Sequence, residues 1–178
     1  MNPVLKHFAR INFPDNKSDL FACFMELGFR MARTGGIASM ITMQSWMFLS
    51  GYQKMRETLL RSKTIRTMAH LGPRAFGSIS GEVVQTTASV VINQQTVGYL
   101  PTFFRLISGA EEEKKSALKL QKHRFDAFSQ QKFAKIPGSP IAYWIGDLIV
   151  ESFLKFPALE ETGETLQGMT TCDNDFYI

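Results

Sequence analysis

Cysteine is nearly absent: Cys23 and Cys172 stand far apart and share no metal-ligand spacing with each other or with the three histidines. That excludes a zinc ribbon or finger and a disulfide-stapled scaffold, and it predicts a cytoplasmic chain with free thiols. Long apolar runs are missing too. None approaches the ~20 residues a membrane-spanning helix needs, and the first residues lack a signal-peptide pattern. There is no internal repeat and no low-complexity tract. Among the acids, serines and histidines no paired carboxylates and no nucleophile triad stand out, so hydrolase chemistry finds no support and no metal site is expected. What remains is the composition of a globular domain, 44% hydrophobic and 20% charged over 178 residues.

The charge is unevenly spread. Residues 1–80 carry eleven Lys/Arg against four Asp/Glu, a net +7, whereas residues 81–178 carry nine against twelve, a net −3. A basic first half suits a polyanionic partner. Lys54, Arg56, Arg61, Lys63 and Arg66 cluster within it, as phosphate contacts or as ordinary solvated surface.

Residues 1–17 read as a loop, with Pro3, Pro14, Asp15 and Asn16 opposing regular structure. Ser18 or Asp19 then caps a helix to about Arg33, with Leu20, Phe21, Phe24, Leu27 and Met31 as its apolar stripe. Gly35 and Gly36 end it. The apolar run 37–43 predicts a strand buried on both faces. Residues 50–53 fit a capping box that opens a second helix, to about Arg61. A strand at about 65–71, a loop, and a strand at 83–92 follow. The order implies a mainly parallel α/β sheet whose last strand is antiparallel, because the loop before it is too short for a helical crossover. Residues 99–106 suit a strand-like extension, 111–133 a charged helix, and Ser139-Pro140 the start of another helix to about Phe156. The last 22 residues read as an extended acidic tail. The expected division is 1–97, then a helical extension over 98–156, then the tail at 157–178.

Between the last two strands of the first half lies a Gly/Pro/Ser loop that carries one ring, Phe76, and one cation, Arg74. Such a loop presents an aromatic face beside positive charge, which fits a flat, anionic ligand such as a nucleic acid. Arg74 is either a phosphate contact or simply solvated. His70 at a strand end reads as structural, and Tyr143 and Trp144 as core or interdomain packing.

Several blocks, in order, resemble one family. They are 17–26, Gly35-Gly36, Met43-Gln44-Ser45-Trp46-Met47, His70-Leu71-Gly72 with Phe76 and the strand to Ile92, residues 135–144, and 168–174. Together they are similar to the second half of the catalytic domain of N6-adenine DNA methyltransferases, specifically the PglX-type enzymes of bacterial phage-exclusion (BREX/Pgl) systems and the type IIG restriction-modification enzymes. The resemblance implies part of a class I, Rossmann-like, S-adenosylmethionine-dependent fold that acts on an adenine flipped out of double-stranded DNA. It assigns Phe24 to the cofactor's adenine, although core packing on the helix stripe also explains Phe24. It assigns Phe76 to the flipped base. Gln44 and Trp46 fall on the ligand side, at the carboxyl end of a strand.

Two family motifs are absent from these residues: the glycine-rich cofactor loop and the Asn-Pro-Pro-Tyr motif that grips the adenine amino group. Cys172 stands where the family has glycine. The chain is therefore expected to be a piece of a longer enzyme, with no catalytic residue of its own and no methylation unaided. A non-catalytic module that docks on DNA or on the other methyltransferase half is the alternative.

Overall fold

In the computed structural model, which describes residues 1–77 and 84–164, the chain builds a mixed α/β fold around a five-stranded sheet. The order of elements is α1 (Pro3–Asn12), α2 (Leu20–Met31), β1 (Ile37–Met43), α3 (Gln53–Ser62), β2 (Thr64–Gly72), β3 (Thr86–Ile92), β4 (Thr102–Arg105), α4 (Glu111–Lys119), β5 (Arg124–Phe125), α5 (Asp147–Lys155) and α6 (Leu159–Thr162). Short 3-10 turns cover Gln44–Met47, Ser50–Tyr52 and Gln130–Lys135.

The segment expected to be a loop at 1–17 contains α1. Pro3 sits in its first turn, where a missing N–H costs nothing, and the Asn2 side chain accepts a hydrogen bond from the Leu5 N–H at 2.9 Å. α2 starts where expected, with the Asp19 carboxylate accepting from the Phe21 N–H. Its buried face differs: Ala22, Cys23 and Met25 point inward, while Phe24 and Met31 are 53% and 79% exposed. A window of mostly apolar residues offers two stripes, and packing against β1 selects the smaller one.

The C-terminus of α2 is tied to the sheet by Asn93. Its amide donates to the carbonyls of Phe29 at 3.0 Å and Ala32 at 2.6 Å, two groups a helix end leaves unpaired. Asn93→Ala should therefore lower stability by about 1–2 kcal/mol, read from the midpoint of a urea titration at unchanged slope.

The sheet order is β1-β3-β2-β4-β5. β3 runs antiparallel to both β1 and β2, as its short connecting loop predicts. The first part of that expected strand, at Val83, lies outside the described residues. Only β2 and β4 pair in parallel, and β5 is antiparallel to β4, so the expectation of mainly parallel pairing is corrected. The strands β1, β2 and β4 nonetheless all point one way, because β3 separates the first two. β1 is not buried on both faces: it lies at the sheet's edge, with Ile37 and Ile41 more than half exposed.

Beyond residue 97 the expected helical extension is corrected as well. β4 and β5 continue the same sheet, and the helix expected over 111–133 stops at Lys119. Gln121 and His123 take positive φ angles of 50° and 54°, which no helix accommodates, and they turn the chain back into β5. Ser139 does not cap a helix either, having φ +50°. The segment after it runs extended so that Ile141 and Tyr143 enter the core, and α5 begins only at Asp147. Tyr143 stacks on Phe103 at 4.5 Å between ring centroids. One core therefore joins Met25, Trp46 and Leu59 from the first half to Phe103, Phe133 and Tyr143 from the second. Of the tail at 157–178, residues 165–178 lie outside the described residues.

Candidate functional site

The co-directional strands β1, β2 and β4 end on the same side of the sheet, the side where open α/β sheets place ligands. Two bulges in β2 interrupt its pairing with β3, the second between His70 and Gly72. A bulge re-aims the side chains around it. Gly72 then takes φ +62°, and a Cβ there would lie 3.0 Å from the Ile107 Cα, so only glycine lets the chain pass.

His70, at the end of β2, is 5% exposed. Its Nδ1 faces the Tyr143 hydroxyl at 3.2 Å and its Nε2 faces the Gln44 Oε1 at 2.6 Å. Burial, reinforced by the nearby cations Arg105 and Lys114, pushes its pKa down to about 4. The ring is therefore neutral at pH 7 and has one N–H. Gln44 Oε1 can only accept, so that proton sits on Nε2, and Nδ1 accepts from the tyrosine O–H. Burial raises the Tyr143 hydroxyl's own pKa far above its ordinary value and keeps that donor in place. Gln44 in turn donates through Nε2 to the Gln85 Oε1. The chain Tyr143–His70–Gln44–Gln85 runs from the core to the surface, and every acceptor along it is engaged. Around it lies a cavity of about 340 Å³, walled by Phe48, Pro73, Arg105, Ile107 and Trp144.

The loop with Phe76 is held from the other side by α4. The Glu111 carboxylate accepts from the Gly77 N–H at 2.6 Å. One turn on, the Lys114 ammonium is buried and donates to the carbonyls of Leu71 at 2.7 Å and Leu106 at 2.5 Å. Burial, and secondarily Arg74, lowers the Lys114 pKa. Phe76 itself is half-buried.

Two expected ligand contacts turn out to be structural. Trp46 is fully buried, with its Nε1–H donating to the Thr42 hydroxyl at 3.1 Å, so it anchors the turn that carries Gln44 rather than facing a ligand. Arg56 is 1% exposed. Its guanidinium donates to the carbonyls of Trp46, Leu49, Gly138 and Ser139, so it is held inside the protein and out of reach of a phosphate. The other cations divide between the two ends of the sheet. Lys54 and Arg74 are exposed at the carboxyl-end side; Arg61, Lys63 and Arg66 lie where α3 returns to the start of β2. From Arg66 to Gly72 the strand alone covers about 20 Å. Lys63 is half-buried, with its ammonium 5.9 Å from the Phe29 ring centroid.

Phe24, on α2, lines a separate apolar recess of about 370 Å³ with Met25, Ile37 and Met40. Among the described residues no three His, Cys, Asp or Glu side chains converge to hold a metal, and no helix is long and apolar enough to cross a membrane.

The roles of His70, Tyr143, Arg105 and Lys114 were not visible in the chain. His70 and Tyr143 are 73 residues apart, and no local pattern links them.

Comparison with known proteins points to one family. The family model of the Eco57I restriction-modification methylase matches residues 5–76, from α1 to the loop with Phe76. The adenine-specific methyltransferase BrxX of Escherichia coli O9:H4 (strain HS) is 54% identical over 159 residues, 89% of this chain and 13% of its own length. The adenine-specific methyltransferase PglX of Lacticaseibacillus casei (strain Zhang) is 40% identical over 186 aligned positions, covering 100% of this chain and 15% of its own length. The chain belongs to the adenine-specific methyltransferase family of BrxX and PglX, and it spans about one seventh of the length of these relatives.

Proposed function

We propose that this chain is part of a site-specific adenine DNA methyltransferase of a restriction-modification or phage-defence system, which transfers methyl from S-adenosylmethionine to adenine N6. The carrying observation is the 54% identity to an adenine-specific methyltransferase over 89% of the chain. In this reading β1, β2 and β3 are the end of a class I, Rossmann-like sheet, and residues 1–97 are the second half of its catalytic domain.

The exposed face of Phe24 fits the cofactor. A ring that packing would normally bury is instead 53% exposed at the mouth of an apolar recess beside β1, which suits the flat adenine of S-adenosylmethionine. The cofactor, when bound, supplies an electrophilic methyl group. Phe76 stacks on the flipped adenine, an interaction of ~1–3 kcal/mol. Gln44, locked by His70 and Gln85, lies on the same side, and Lys54 and Arg74 reach the flanking phosphates. Arg61, Lys63 and Arg66 make further contacts where the duplex extends along the α3 side.

The adenine-gripping Asn-Pro-Pro-Tyr motif is absent from these residues, so this chain alone should transfer no tritiated methyl group to DNA. Joined to a segment that carries the motif and the cofactor loop, it should do so, and Phe76→Ala should then cut transfer by ten-fold or more. Transfer by the chain alone would sink this reading. A gel shift completes the test. Lys54→Ala or Arg74→Ala should each lower the slope of log affinity against log salt by about one phosphate. Salt-steep binding with no transfer in either form would instead favour a non-catalytic DNA-docking module.

A further inference from the structure

We propose that the recess between Phe48, His70, Arg105 and Trp144 is a second nucleotide subsite, which takes the acceptor edge of an unstacked DNA base next to the one at Phe76. The proposal rests on the DNA reading above and adds a site to it. Phe76 does not line this recess. Arg105, Ile107 and Trp144 come from beyond the residues that the Eco57I family model covers.

The shape suits a base. About 340 Å³ lies at the carboxyl ends of β1, β2 and β4, with the rings of Phe48, His70 and Trp144 on its walls beside Pro73 and Ile107. Trp144 is 5.6 Å from Phe48 and 6.1 Å from His70, centroid to centroid. The Arg105 guanidinium lies 5.0 Å over the Trp144 ring. Aromatic rings and guanidinium planes are the surfaces on which splayed-out bases stack.

The polar lining selects one edge of the base. His70 gives its only N–H to Gln44 and takes the Tyr143 proton, and Gln44 gives one N–H to Gln85. Among the described residues, what stays unpaired is one N–H of Gln44, both of Gln85, and the guanidinium of Arg105. All are donors. Among the described residues no Asp or Glu lines the recess, and Arg105 has no carboxylate partner. Its Nε is buried without any hydrogen-bond partner. A partly desolvated guanidinium in that state is costly, and an acceptor-rich ligand relieves it. Guanine, with O6 and N7 on one edge, matches such a donor array; adenine places its N6 amino group against it.

Fluorescence reads the site directly, because the only other tryptophan, Trp46, is fully buried. The full chain is titrated with short single-stranded oligonucleotides that differ at one position: guanine, adenine or an abasic spacer. Guanine should quench Trp144 and bind about ten-fold tighter than the abasic oligonucleotide, with adenine between. Trp144→Phe should remove the signal. Arg105→Gln and Gln85→Leu should each abolish the preference for guanine. Among the described residues the Arg105 Nε has no hydrogen-bond partner, and Gln85 is exposed, so at least one variant stays folded. Equal quenching by guanine and abasic oligonucleotides, or a guanine preference that survives both variants, overturns the proposal. Duplex binding in a gel shift with no quenching overturns the subsite and leaves the DNA reading intact. No binding to any DNA at low salt overturns both.

Discussion

Arg56→Leu should destabilise this protein by about 3–5 kcal/mol, the loss expected when a buried, multiply bonded charged group is removed and its partners stay behind. The guanidinium spans two segments far apart in sequence. Nη1 bonds the Trp46 and Leu49 carbonyls at 2.8 and 2.7 Å, and Nη2 bonds the Gly138 carbonyl at 2.6 Å. Burial lowers its pKa, yet arginine still keeps its proton at any working pH. Leucine fills part of the volume and leaves the Trp46, Gly138 and Ser139 carbonyls without the donor they have now, while Leu49 keeps the Tyr52 N–H. Arg56→Lys should fall between, since an ammonium offers three donors at one point and cannot span the fork. Denaturant midpoints measure both. The salt slope of DNA binding should not move in Arg56→Lys, which separates this role from a phosphate contact. A loss below about 1 kcal/mol in Arg56→Leu would show that water replaces the guanidinium.

The second large effect depends on pH. His70 titrates near 4 in the folded protein and near its ordinary 6.5 in the unfolded chain. Above pH 6.5 both states are neutral and no stability is at stake. Between 6.5 and 4 the unfolded chain binds a proton that the folded state refuses, so stability falls as pH falls. The loss is complete below about pH 4 and amounts to roughly 3 kcal/mol, at about 1.4 kcal/mol per pKa unit. For a chain of this size that is ~6–12 °C in melting temperature. His70→Gln should flatten the stability profile across this window, whatever it costs at neutral pH. A profile with wild-type slope in the variant would assign the acid sensitivity to other groups.

The sequence disclosed local signals and concealed non-local ones. Asp19 capping α2, the apolar run of β1 and the short loop ahead of β3 are set within a few residues, and each was legible. Arg56 was not. On paper it belongs to a basic helix with Lys54 and Arg61, and nothing near it announces the Gly138–Ser139 turn that claims its donors. The stripe on α2 failed similarly, because an almost wholly apolar helix shows no preferred face until β1 chooses one. The helix expected over 111–133 was lost to positive φ at Gln121 and His123, which composition does not encode. Trp46 was placed beside the ligand by its position after β1, while its indole turned inward to Thr42.

The placement of β3 between β1 and β2 has a consequence for the nascent chain. Neither of the outer two can bond to the other, so both emerge from the ribosome with open hydrogen-bonding edges and wait for the strand that fits between them. From Met43 to Ile92 translation takes roughly 2–10 s at ~5–20 residues per second. Through that interval the apolar Ile37–Met43 segment lacks the partner edge that β3 will supply, and its own edge is open to pairing with another nascent chain. Once β3 arrives it bridges both neighbours together, and β4 and β5 then extend the sheet from the far side of β2. Slow codons placed before residue 92 should therefore promote aggregation during synthesis, whereas slow codons after it should not.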